Sequence, residues 1–229
     1  MNLILIGAQG SGKGTQAQVL ADQLRLKPTA SGELLRAAIA KGTPAGKAAQ
    51  PYYDRGDLVP DEIVVQMILE DLENLDGAHG IILDGFPRTI PQARALDQRL
   101  SERGQRIDYV IYLEVPKDIL AERLAGRYVC TAYGHVWNIL TRPTRVPGIC
   151  DYDHSPLVQR SDDTPEKIAH RLDIFFHETI HLLDYYRSQG KLIRVDGTRS
   201  VEDVNRAILA TLLPHGVASS PQDEQGAGN

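Results

Sequence analysis

The chain has 229 residues, with 25 lysines and arginines against 30 aspartates and glutamates and a formal net charge of −5. That length holds one domain with inserted pieces, or two small ones, and the mildly acidic balance argues against bulk electrostatic binding to nucleic acid or to an anionic membrane. No run approaches the roughly 20 apolar residues that a bilayer crossing needs, the first residues enter a strand-like run in place of a leader, and two cysteines are too few for a disulfide scaffold, which together predict a cytoplasmic protein.

Residues 2–6, NLILI, are a short apolar run ending at Gly7, and residues 14–26 carry helical spacing at Ala17, Leu20, Ala21 and Leu24. Residues 30–60 read as helices with no strand between them, broken at KGTPAG and RGDLVP, and predict a small helical insert. Three more apolar runs follow, GIILD at 80–84, DYVIYLEV at 108–115 and KLIRVDG at 191–197, each ahead of a helix-like stretch. Strands alternating with helices predict an α/β fold with a parallel sheet flanked by helices on both faces. Residues 127–163 are rich in Pro, Gly, aromatic and β-branched residues and hold both Cys130 and Cys150, which predicts a lid or small β-rich subdomain. From Thr164, a suitable N-cap followed by Pro165, a helical pattern runs to about Gln189. The closing residues 214–229 lack an apolar face and are predicted to be disordered.

GAQGSGKGT at residues 7–15 matches the phosphate-loop pattern G-x-x-x-x-G-K-[ST] at Gly7, Gly12 and Lys13, but places Gly14 in the hydroxyl slot and Thr15 one residue late. A strand before it and a helix after it aim backbone N–H groups and a helix dipole at a phosphate. Lys13 adds a mobile cation, so a chance tight turn is the weaker reading. The guanine-reading string N-K-x-D does not occur, which disfavours a switch GTPase and leaves an ATPase or small-metabolite kinase open. In ILDGFPRTIPQ, residues 82–92, Asp84 ends a strand where its carboxylate can orient magnesium-bound water, and Arg88 follows within reach of a second anion.

With SGELLR at 31–36 and the G-K-G-T ending of the loop, these residues resemble the adenylate kinases of the bacterial, long-lid type, from Met1 to about Leu213. The resemblance implies a P-loop three-layer core (1–29, 60–126 and 164–214), an AMP-binding insert (30–59), a lid (127–163) and a tail outside the fold (215–229). It implies that MgATP and AMP give two ADP, with nucleotides as the only partners of a monomer. ATP would lie on Gly10, Ser11, Gly12, Lys13, Gly14 and Thr15, with Arg127, Val136, Trp137 and Arg199. AMP would meet Ser31, Arg36, Asp57, Leu58, Val59, Gly85, Phe86, Pro87, Arg88 and Gln92, and Arg160 and Arg171 would bridge the two phosphate chains. Magnesium would be held through waters by Thr15 and Asp84. Lys13, Arg88, Arg127, Arg160 and Arg171 would carry catalysis by positioning and charge, since the attacking phosphate oxygen is already anionic and needs no general base.

Two departures from the family pattern stand out. Gln9 replaces a proline common in relatives, and Ser31 replaces a threonine, which keeps the hydroxyl. In the lid, the four positions that hold zinc in some members carry Cys130, Tyr133, Cys150 and Asp153. Three suit zinc and Tyr133 does not. The resemblance therefore sets a structural zinc on Cys130, Cys150 and Asp153 against the hydrogen-bonded set of zinc-free members, which Tyr133 can join, and the incomplete ligand set favours the latter. His135 or His154 could substitute for the missing ligand, but neither sits at the family's ligand position. A UMP/CMP-type kinase on the same fold, or a non-catalytic adenine-nucleotide sensor, are the alternatives.

Overall fold

A computed structural model describes residues 1–73, 78–160 and 162–213; the disorder expected of residues 215–229 lies outside them. In chain order the elements are β1 (Leu3–Ile6), α1 (Lys13–Leu24), β2 (Lys27–Ala30), α2 (Ser31–Ala40), α3 (Pro44–Arg55), α4 (Asp61–Asp71), β3 (Ile81–Asp84), α5 (Ile90–Glu102), β4 (Tyr109–Glu114) and α6 (Lys117–Ala125). There follow β5 (Arg127–Cys130), β6 (Val136–Asn138), β7 (Leu157–Val158), α7 (Pro165–His177), a 3-10 turn (Thr179–His181), α8 (Leu182–Arg187), β8 (Leu192–Asp196) and α9 (Val201–Leu212).

Five strands form one parallel sheet in the order β2-β3-β1-β4-β8. Their near-continuous apolar sequences follow from burial on both faces. Alternation sends Ile4 and Ile6 of β1 to one side, into an apolar cluster with Leu96 of α5, Leu124 of α6 and Leu172 of α7, while Leu3 and Leu5 go to the other, against Leu20 of α1 and Ile208 of α9. Each such buried side chain contributes about 1.5–3 kcal/mol of transfer free energy. Successive strands lie on opposite sides of β1: the chain runs out to β2 and β3, then crosses to β4 and β8. The carboxyl end of β1 is therefore the point where strand order reverses, the place such sheets leave a crevice for a ligand.

Two details differ from the sequence reading. Residues 27–30, KPTA, form β2, a strand not expected from the sequence because four residues containing Pro28 carry too little pattern; as an edge strand with one neighbour, β2 tolerates the missing proline N–H. The helix predicted from Thr164 to Gln189 breaks at Glu178, where the 3-10 turn redirects the chain into α8. Its start is as expected: Thr164 accepts from the Lys167 amide and Pro165 opens the helix.

Residues 127–163 carry a separate antiparallel sheet, β6-β5-β7, and residues 31–55 are the helix pair α2 and α3. α3 is capped by Thr43 and closed by Gly56 at φ 81°. Gly46 lets the two helices touch, since a Cβ there would lie 2.1 Å from the Ala38 carbonyl oxygen. Among the described residues no helix is long and apolar enough to cross a membrane.

Candidate active site

The glycine loop leaves β1 and opens α1 at Lys13. Gly12 occupies the N-cap position at φ 94°, and no side chain caps the first turn, which leaves its amides directed at whatever anion approaches. Gly10 sits at φ 83° against α6, where a Cβ would come within 3.0 Å of the Leu124 side chain. Ser11 is buried with its hydroxyl turned under the loop, 2.5 Å from where a Cβ on Gly7 would be, so its contribution to an anion is its backbone. Lys13 Nζ folds back onto the Ala8 carbonyl at 3.0 Å. Burial pushes its pKa down to about 8; Asp84 opposes this, and Arg88, Arg127 and Arg171 add to it. Asp84 Oδ2 lies 3.2 Å from the Cβ position of Gly14, beside the loop, with Thr15 the next residue of the same turn.

Across the crevice, Ser31 begins α2 and its hydroxyl donates to the Gly85 carbonyl at 2.7 Å, while Arg88 Nε donates to the same oxygen at 2.8 Å. Gly85 is held at φ 74°, and a Cβ there would come 2.8 Å from the Ser31 hydroxyl. Gln92 accepts from the Arg88 amide at 2.7 Å and donates to Asp61 at 2.6 Å, so both ends of its carboxamide are engaged. One cavity is lined by Ser31, Arg36, Leu58, Val59, Arg88, Gln92, Arg160 and Arg171; a second, over the glycine loop, is lined by Gly7, Lys13, Gly85, Pro87, Arg88 and Arg171. Phe86 does not reach them as a polar contact: it is fully buried in the core. Asp57 borders the first cavity but pairs with Arg55 at 2.7 Å and with His170 of α7 at 2.8 Å, hydrogen bonds that hold its carboxyl below the usual range.

The cations crowd one another. Burial, then Arg160, lowers the pKa of Arg36; burial lowers that of Arg88 against the pull of Asp84; and burial brings Arg171 down to about 10. Two buried carboxylates, not assigned from the sequence, make the cluster tolerable. Asp163 takes both Nε and Nη2 of Arg127, at 2.7 and 2.5 Å, and Asp162 takes Nε and Nη2 of Arg160, at 2.9 and 2.8 Å, as well as Arg171 at 3.0 Å. The signal was present in QRSDD, where two acids follow an arginine after one serine, but proximity in sequence does not tell a buried clamp from a solvated charge run.

In the small sheet the four-residue set differs from the expectation. Tyr133 is 78% exposed and joins no hydrogen-bonded set among the described residues. His135 takes the place: its Nδ1 lies 2.9 Å from Asp153, 3.4 Å from Cys130 Sγ and 3.5 Å from Cys150 Sγ, and one ligand atom from each of the four falls within 4.8 Å of the rest. Trp137 turns inward and donates to Cys150 Sγ at 3.4 Å, with Arg142 stacked 4.8 Å above its ring, so its side chain does not face the crevice. Val136 beside it is exposed. Arg199, exposed and paired with Asp196 at 3.1 Å, borders neither cavity.

A family model described as Adenylate kinase matches residues 5–191. Among similar proteins, the adenylate kinase of Lachnospira eligens is 43% identical over 93% of this chain and 100% of its own, and that of Carboxydothermus hydrogenoformans 45% identical over 93% and 99%. The adenylate kinase of Bacillus subtilis is 43% identical over 89% of this chain and 94% of its own. The chain belongs to the adenylate kinase family, a family of phosphotransferases acting on ATP, AMP and ADP.

Proposed function

We propose that the two cavities divide the family's reaction between them: the ATP phosphates lie on the amides of residues 10–15, and AMP lies in the cavity of Ser31, Arg36, Val59 and Gln92. The observation that supports this most is the wall the cavities share, where Arg88 and Arg171 border both. In-line transfer needs two polyanions held end to end, and planar guanidinium groups can engage oxygens of both. Lys13, released from the Ala8 carbonyl, follows the outer phosphate of ATP, while Arg127 and Arg160 close from the lid side, exchanging part of their carboxylate contact for phosphate. Residues 30–59 then serve as the AMP-binding insert and residues 127–163 as the lid, on a monomeric, cytoplasmic enzyme.

Magnesium bound with ATP would neutralise charge on the transferring phosphoryl oxygens; Thr15, which follows Gly14 in the loop, and Asp84, whose Oδ2 lies 3.2 Å from the Gly14 Cβ position, would hold its waters. The lid cluster fits a second metal. Two sulfurs, an imidazole nitrogen and a carboxylate oxygen match a tetrahedral zinc donor set, and with four of their separations at 2.9 to 3.5 Å and every one within 4.8 Å they can converge on one ion. We assign Cys130, His135, Cys150 and Asp153 as a structural zinc site. It would cross-link the loops of the small sheet and take no part in transfer.

The test is turnover of MgATP with AMP in the wild type and in Arg88→Ala. Loss of about a hundredfold or more in turnover with the thermal midpoint preserved supports the assignment; parallel loss of both makes Arg88 structural and contradicts it.

A further inference from the structure

Gln9 is unaccounted for by the contacts described so far. Its carboxamide makes no hydrogen bond to any described residue, and its Oε1 is sealed from solvent without a partner. A buried amide oxygen left unpaired is unfavourable, and a ligand or neighbour that brings a donor to it would satisfy it. Of the residues bordering both cavities, three carry polar side chains: Arg88, Arg171 and Gln9. The two arginines hold charge there, and Gln9 is the neutral member of the same wall. It is carried by the glycine loop itself, two residues from Gly7 and four from Lys13, on backbone that the sheet and α6 immobilise.

We propose that Gln9 is a phosphate-contacting residue of the transfer reaction, which rests on the two-cavity reading above. Its Nε2 donates to a non-bridging oxygen of the phosphoryl group as it passes between the cavities, and its Oε1 accepts an N–H from the guanidinium groups on the same wall. A neutral donor suits a place where Lys13, Arg88 and Arg171 already repel one another: it adds a hydrogen bond without adding charge. Gln9 borders both cavities, so its amide can reach either phosphate chain.

The experiment compares the wild type with Gln9→Leu, Gln9→Ala and Gln9→Glu. It measures kcat, KM for each nucleotide, thermal midpoint, and calorimetric affinity for the bisubstrate analogue in which two adenosines are joined by five phosphates. Gln9→Leu should lose about tenfold or more in kcat and in analogue affinity, with KM for ATP within about twofold and an unchanged midpoint. Gln9→Glu, which sets a negative charge beside the phosphates, should lose more than Gln9→Leu. If Gln9→Leu is poorly folded, Gln9→Ala, which adds no bulk, gives the reading. Wild-type kcat and analogue affinity in whichever of these two folds would overturn the proposal, as would a Gln9→Glu variant as active as the wild type. A wild type inactive with AMP would count against the two-cavity reading instead, and analogue affinity would still decide the role of Gln9.

Discussion

At the scale of single residues, the crevice is a place where charge is stored and then exchanged. Lys13 is the sharpest case. With its pKa lowered to about 8 from 10.5, the unfolded chain binds this proton more tightly than the folded one, so the group's contribution to stability rises with pH between those values. On the proposed assignment function runs the other way, because Lys13 would meet ATP as the ammonium. For the wild type, kcat/KM for ATP should fall as pH rises through about 8, and Lys13→Arg should remove that limb; an unchanged limb in the variant would assign it to another group. Asp163 makes the converse point. Its fully buried carboxylate neutralises Arg127 before any nucleotide is bound. Asp163→Asn should destabilise the ligand-free protein by about 3 kcal/mol in denaturant titration. Saturating bisubstrate analogue should recover part of that, since its phosphates supply the missing anion. Legibility at this scale followed chemistry: Gly7, Gly12 and Lys13 stand at fixed offsets because each has one backbone or charge task. Asp162 and Asp163 did not stand out, because burial is what separates them from surface acids.

Among elements, the parallel strands were readable as apolar runs because both sheet faces are covered. β2 was not, since a four-residue edge strand containing Pro28 carries too little pattern. The turn at residues 179–181 was hidden for the opposite reason: apolar residues continue on both sides of it, Phe175 and Phe176 before, Leu182 and Leu183 after, so periodicity alone sees one helix. The small sheet shows how spacing can mislead. The sequence places Tyr133 at the expected ligand position, yet the turn after Cys130 brings back the His135 amide, 3.1 Å from Cys130 Sγ, and with it the ring. The protein should therefore bind one zinc per chain. Chelation should change the emission of Trp137, the only tryptophan, and lower the thermal midpoint by about 5 °C or more. His135→Asn should weaken zinc binding at least about tenfold; zinc retention equal to that of the wild type would remove His135 from the site.

For the whole molecule, the arrangement answers a problem set by water, which competes with AMP for the phosphoryl group. The sheet holds the glycine loop and Asp84 rigidly at the strand-order reversal, while the helix pair and the small sheet bring arginines from outside. Closure of these two parts over both nucleotides would exclude water and complete the cationic wall. Hydrogen exchange in residues 127–163 should slow when ATP and AMP are both bound; exchange unchanged by the pair would contradict closure. The most direct measurement is phosphorus NMR of MgATP with AMP, dAMP, CMP, UMP and GMP in turn, and without any acceptor. Rapid ADP formation with AMP, little transfer to CMP or UMP, and little free phosphate in the absence of an acceptor are expected. Preferred transfer to CMP or UMP, or rapid phosphate release without an acceptor, would contradict an AMP site closed against water.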